Sequence, residues 1–256
     1  MMKMIDAHIH LDSYEASQRE ELFNSIESYG IEAIISVSMD LESCEKNLEL
    51  NRQTNVVYPA FGYHPEQQIP SKKEIDKLFD WIRVHQNEMV AIGEVGLPYY
   101  KNLEEKIDYS PYIQLLEKFI ILAKELNKPI VLHAVYEDAE IVCNLLEKYS
   151  LKKAHFHWFK GDEQVINRMI KNGYYISITP DVLYENEIRD LVSKYPLDLM
   201  MVETDGPWPF EGPFEKEWTH PKFMHDSIAK IAEIKNLDLK FVYRILYENT
   251  KRFYEI

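Results

Sequence analysis

Cysteine is scarce: Cys44 and Cys143 are the only two in 256 residues. Two cannot make a disulfide framework, and a reducing cytoplasm is the expected compartment. Long apolar runs are absent too. No stretch approaches the roughly 20 residues of a membrane span, so neither a transmembrane helix nor a membrane partner is expected. The first residues, Met1-Met2-Lys3-Met4-Ile5-Asp6, reach charge at once and hold no signal-peptide apolar core. Positive charge is in deficit, with 29 Lys and Arg against 43 Asp and Glu, a net of −14. That argues against the broad electropositive surface of a nonspecific nucleic-acid binder, although bound cations can restore positive charge locally.

What remains is an ordinary folded composition, 46% hydrophobic and 28% charged, which sets aside disorder, collagen and coiled coil. Short β-branched runs alternate with longer helical patterns. Expected strands lie at residues 4–10, 33–37, 56–63, 90–95, 130–133, 154–158, 174–179 and 199–203. Between them, Ser71 with Glu74 reads as a capping box ahead of Ile75, Leu78, Phe79 and Ile82. Ser110-Pro111 reads as an N-cap and first helical residue of a helix that stops before Pro129. Gly30 reads as a helix C-terminal residue. Ile141, Val142, Leu145, Leu146 and Tyr149 form a further stripe. Eight such units predict an α/β fold with one (β/α)8 TIM-type barrel, a single domain over residues 1–256. A doubly wound open sheet is the runner-up, but no Gly-rich dinucleotide fingerprint follows the first strand. Residues 207–213, rich in proline, read as a loop after the eighth strand.

Chemistry-bearing residues fall where strands give way to loops. His8 and His10 are two apart in the first strand and share a face. Such a pair either holds a transition metal or makes ordinary hydrogen bonds in a polar turn. Glu94, His133, His157 and Asp205 stand at the ends of the fourth, fifth, sixth and eighth strands. Barrel strand ends converge on one face. Four histidines and two carboxylates gathered there create a costly field that one or two divalent cations would relieve.

In this order the motifs resemble the TatD family of metal-dependent hydrolases, within the amidohydrolase-like barrels. They are D-x-H-x-H at Asp6 to His10, G-x-H-P at Gly62 to Pro65, G-E-x-G-L at Gly93 to Leu97, the strand-five His133, H-x-F-x-G at His157 to Gly161, and E-T-D-x-P at Glu203 to Pro207. The resemblance covers nearly the whole chain. It implies a first metal position held by His8, His10 and Asp205, and a second held by His133 and His157. Glu94 would bridge them where some relatives carry a carboxylated lysine, and Asp205 would also accept the proton of the attacking water. The implied catalytic residues are thus Asp205 and Glu94, with His64 in contact with substrate. The cofactors would be one or two ions of zinc, manganese, iron or cobalt, or magnesium in a carboxylate-richer position. The implied activity is a phosphodiesterase or deoxyribonuclease, with DNA or another phosphoester as partner.

The departures from the family pattern all concern substrate. Pro98 stands where an aspartate often follows G-E-x-G-L. No arginine follows His133, Lys160 replaces a serine, and the loop after strand eight carries Glu211, Glu215 and Glu217. Phosphate contacts would fall to Lys160 and Lys101. Trp158, Trp208, Phe210 and Trp218 would either stack on bases or line an apolar pocket. A small phosphoester, amide or lactone is therefore the alternative substrate, and a catalytically silent metal- or partner-binding barrel the alternative of another class. His155 reads as a second-layer residue and His85 as structural, while His220 lies near the expected mouth. Oligomeric state stays open, and a monomer is compatible with the sequence.

Overall fold

The computed structural model describes residues 2–256. Its eight strands are β1 (Met4–Ile9), β2 (Ile31–Val37), β3 (Val57–Phe61), β4 (Ala91–Gly96), β5 (Ile130–His133), β6 (Ala154–Phe156), β7 (Tyr175–Ile178) and β8 (Met200–Val202). All pair in parallel, in chain order. The helices are α1 (Ala16–Ser25), α2 (Leu41–Gln53), α3 (Lys72–Val84), α4 (Tyr99–Glu105), α5 (Ser110–Glu125), α6 (Glu137–Tyr149), α7 (Glu163–Asn172), α8 (Asn186–Lys194), α9 (Met224–Lys235) and α10 (Leu239–Tyr254). This is the (β/α)8 barrel, and the open-sheet alternative falls away. No helix among the described residues is long and apolar enough to cross a membrane.

Helix starts follow side-chain chemistry. Ser71 and Glu74 form the capping box of α3, each side chain accepting from the other's backbone N–H. Gly30 takes a positive φ of 68° where the chain leaves the first helical layer for β2. One expectation is corrected. Ser110 is the first helical residue of α5 and not its cap, because Asp108 Oδ1 accepts the Ser110 N–H at 2.9 Å and displaces the cap upstream. Helix α4 was not expected at all; Pro98 begins it.

Two apolar layers flank the strands. Ile5, Ala7, Ala33, Ile35, Val37, Ala60 and Val131 make one cluster, closed by Phe253 and Tyr254 from α10. The larger cluster joins the other strand faces to the helices. Alternation puts successive residues on opposite faces, but the ladder has three register shifts, one between Met4 and Ile5 and two beside the site. The β1–β2 pairing shifts register between Asp6 and Ile9, and the β4–β5 pairing between Ile92 and Val95. Such shifts re-aim the side chains that follow, and here those are His8 and Glu94.

The seam between β8 and β1 closes beyond the last strand. The Asp205 N–H donates to His8 O at 2.9 Å and the His10 N–H to Gly206 O at 2.7 Å. Below them the buried Asp6 accepts from the Thr204 N–H at 3.1 Å, from the Thr204 hydroxyl and from the His8 N–H. Replacing Asp6 by alanine strands the Thr204 donors away from water. Asp6→Ala is expected to lower the unfolding free energy by about 2–4 kcal/mol, and Asp6→Asn, which keeps an acceptor oxygen, by less. Urea unfolding measures both; an unchanged midpoint for Asp6→Ala would refute the seam's role.

Candidate metal centre

Glu94 sits in the middle of the converging strand ends, fully buried. Its two carboxylate oxygens face different groups. Oε2 lies 3.2 Å from His8 Nε2 and 3.2 Å from His10 Nε2. Asp205 Oδ1 completes that side, 3.3 Å from His8 Nε2 and 3.5 Å from His10 Nε2. Oε1 lies 3.0 Å from His133 Nδ1, 2.6 Å from His157 Nε2 and 3.4 Å from His64 Nε2. His133 Nδ1 and His157 Nε2 are 3.2 Å apart.

The backbone that delivers these groups is specific. Glu94 and His133 come from neighbouring strands that touch at Gly96, where a Cβ would stand 1.9 Å from the His133 carbonyl oxygen. Any side chain there forces β4 from β5. Gly62 is similar on the other flank, with a Cβ only 2.6 Å from Glu94 O. The glycines of G-x-H-P and G-E-x-G therefore permit close strand approach. His157 and Asp205 lie past the ends of their strands, in or beside left-handed turns with φ of 38° at Trp158 and 47° at Asp205. Glu203 Oε1 accepts the Trp158 N–H at 2.7 Å and fixes the turn after His157.

Several of these atoms have no hydrogen-bond partner although buried: both nitrogens of His8, Glu94 Oε2 and Asp205 Oδ1. Leaving such atoms unpaired costs free energy. A tetrahedral cation with bonds of about 2.1 Å separates its donors by roughly 3.4 Å, close to the 3.2–3.5 Å that separate the His8 and His10 Nε2 atoms from Glu94 Oε2 and Asp205 Oδ1. Three clusters of donor atoms meet here, His8–His10–Glu94, His64–Glu94–His133 and His8–His157–Glu203. The residues present fit a divalent cation on each side of Glu94.

Charges agree with that arrangement. Burial pushes the Glu94 carboxyl up, but the imidazoles of His157, His64 and His8 outweigh it and hold it well below the usual range. Asp205 is likewise raised by burial and lowered overall by His8 and His157. Both stay ionised at neutral pH. Burial holds His155 neutral; it hydrogen-bonds Tyr254 Oη and Ser177 Oγ below the centre, as a second-layer residue.

The rim differs from expectation. Phe210 is buried with Phe214 and Phe223 and has no face to offer a substrate. Trp218 packs against Tyr14 and His220. Trp158 is half-buried and donates its indole N–H to Asp181. Of the four aromatics only Trp208 is open, 43% exposed with its ring centre 6.2 Å from His10. Tyr100 joins it, 45% exposed and 6.1 Å from His133. Lys160 Nζ lies 4.0 Å from Asp181 and 5.7 Å above the Trp158 ring. Lys101 pairs with Glu105 at 3.0 Å. Sequence reasoning missed Tyr100 and also Glu66, whose Oε1 is 3.2 Å from His133 Nε2. Glu66 directly follows G-x-H-P, and that adjacency was the available signal.

His220 proves to be a strut. Its Nδ1 accepts the Lys222 N–H and its Nε2 meets Ser25 Oγ, both at 2.9 Å, tying the loop after β8 to α1. Burial, helped by Lys222, lowers its pKa to about 4. A depressed folded-state value gives stability that is present above the ordinary pKa of 6.5 and lost as pH falls toward 4. His220→Gln is expected to flatten the fall of unfolding free energy across that window. Denaturant titrations at several pH values test this; equal slopes in both proteins would contradict it.

Comparison with known proteins agrees with this geometry. The family model described as TatD related DNase matches residues 5–255. A Haemophilus influenzae protein named as a metal-dependent hydrolase is 40% identical over 99% of this chain and 100% of its own. The human protein named deoxyribonuclease TATDN3 is 26% identical, over 98% of this chain and 94% of its own. Among solved structures, the TatD homologue YJJV of Escherichia coli superposes with a TM-score of 0.89 at 23% identity, covering 100% of this chain and 99% of that one. With eight parallel strands delivering a buried carboxylate between two sets of imidazoles, this chain belongs to the TatD family of metal-dependent hydrolases.

Proposed function

We propose that the chain is a divalent-metal-dependent phosphodiesterase of the TatD type, cleaving DNA ends or single strands by hydrolysis. The observation that carries the reading is the division of Glu94, with one oxygen toward His8 and His10, which Asp205 Oδ1 also meets, and the other toward His133 and His157. In this reading His8, His10, Asp205 and Glu94 would hold one cation, and His133, His157 and Glu94 would hold another. Zinc, manganese, iron or cobalt suits such mixed donors. Bound there, the cations supply Lewis acidity and lower the pKa of water toward neutrality.

The chain's own groups do the rest. Asp205, ionised through its imidazole neighbours, accepts the proton released at the nucleophile. His64 faces the same space from β3's loop and offers a polar contact to substrate. Lys160 and Trp208 stand at the mouth, where a phosphate oxygen and a base would meet them. The name of the human relative supports DNA as substrate. The barrel then acts as one domain over residues 1–256, and nothing in the mechanism calls for a second subunit.

A second reading keeps the centre and changes the substrate to a small phosphoester, amide or lactone. It is favoured by the cations at the mouth, since Lys101 is already paired with Glu105 and Lys160 neighbours Asp181. A catalytically silent barrel is disfavoured, because all six donor side chains are present and converge.

Protein purified without chelator, analysed for metal and assayed on DNA and on small esters, separates these readings. Metal-dependent DNA cleavage is expected, abolished in His8→Ala and reduced about 10²–10⁴-fold in Asp205→Asn, the usual worth of a positioned base. Full activity in Asp205→Asn would discard the base assignment. Turnover of small esters without DNA cleavage would favour the second reading.

A further inference from the structure

Glu66 touches two histidines of the centre with two different kinds of group. Its carboxylate Oε1 lies 3.2 Å from His133 Nε2. Its backbone N–H donates to His64 Nδ1, also at 3.2 Å. Carboxylates face both ring nitrogens of His133, Glu94 Oε1 at Nδ1 and Glu66 Oε1 at Nε2; with a cation on the Glu94 side taking the Nδ1 lone pair, the ring hydrogen would reside on Nε2 against Glu66. A backbone amide donates, so the lone pair of His64 is taken up at Nδ1 and its hydrogen resides on Nε2. These assignments meet at one place. His133 Nδ1 is 3.0 Å and His64 Nε2 is 3.4 Å from the same oxygen, Glu94 Oε1. Two imidazoles that look equivalent around that oxygen therefore present opposite chemistry to it.

We propose that Glu66 is a positioning residue that sorts this pair, making His133 a cation ligand through Nδ1 and His64 an N–H donor toward a substrate oxygen. The inference rests on the metal centre proposed above and deepens it. It would leave the His64–Glu94–His133 cluster with one nitrogen ligand and not two, although all three residues bring donor atoms together. Metal-ligating histidines commonly give their other N–H to a carboxylate, which fixes ring orientation and raises basicity. Glu66 is itself held firmly. Oε1 accepts the Tyr100 N–H at 2.9 Å and Oε2 the Lys101 N–H at 2.7 Å, in the first turn of α4. The rim segment bearing the open Tyr100 ring is thereby tied through one side chain to His133.

Two variants and two readouts test the assignment. Zinc is titrated into the metal-free protein against a competing chelator. Glu66→Ala is expected to weaken one of two bound ions by about 10–100-fold, the usual cost of losing such a partner, and to leave the other unchanged. Glu66→Gln, whose amide oxygen still accepts from His133 Nε2, is expected to recover most of the loss. Thermal unfolding of the metal-free variants separates this from general destabilisation. Long-range ¹H–¹⁵N spectra of the zinc-loaded protein are expected to show both histidines with hydrogen on Nε2, with Nδ1 metal-bound in His133 and metal-free in His64. In Glu66→Ala the His64 pattern persists, because the amide remains. Two zinc ions held by Glu66→Ala as tightly as by wild type, or a His64 nitrogen bound to zinc, would overturn the inference alone. A wild-type protein that takes up no zinc would overturn the metal centre as well.

Discussion

A carboxylate taken out of water is tolerated only when something of opposite charge or strong donor character surrounds it. Glu94 sets that condition for this chain. It is fully buried at the place where eight strand ends converge, and several of the surrounding elements supply groups that meet its needs. β1 contributes His8 and His10, β5 His133, the turn after β6 His157, and the turn after β8 Asp205. Glycines at 62 and 96 let the flanking strands approach closely enough for these groups to reach it. The seam bonds from Asp205 to His8 and from His10 to Gly206 tie the first and last of these elements together. The most polar part of the interior is thus also where the barrel closes, and fold and site share the same bonds.

Much of this was legible in the sequence because barrel strands are short β-branched runs and their ends are fixed by chain direction. The eight expected strands all appear, shifted by a few residues at their ends. The six candidate donors were readable because each stands where such a run stops. What alternation could not show is how His8 and Glu94 come to point inward. A strict period of two from the inward-facing Ile5 and Ala7 would send His8 to the other face. The register shifts between Asp6 and Ile9, and between Ile92 and Val95, reverse that parity. A bulge depends on the neighbouring strand's register, which a single segment does not encode visibly.

The rim was the less legible part. Loop aromatics look alike in sequence, yet Phe210 is consumed by a local cluster, Trp218 by packing against Tyr14, and Trp158 by its bond to Asp181. Only tertiary contacts distinguish these from the open Trp208. Tyr100 was hidden because α4 has too few apolar positions to announce itself. Glu66 was hidden because its role depends on His133, which lies 67 residues away. The acidic surface and the cationic centre are compatible on this view. Attraction for a phosphate would be concentrated at ions held beside Glu94, with little spread across the face.

The account turns on cations lying on both sides of Glu94. Crystals of the protein loaded with zinc or manganese, with anomalous scattering recorded, test it most directly. The account predicts two peaks, one among His8, His10 and Asp205 and the other between His133 and His157, with a Glu94 oxygen toward each. Ions found elsewhere, or none with these side chains still gathered, would contradict it.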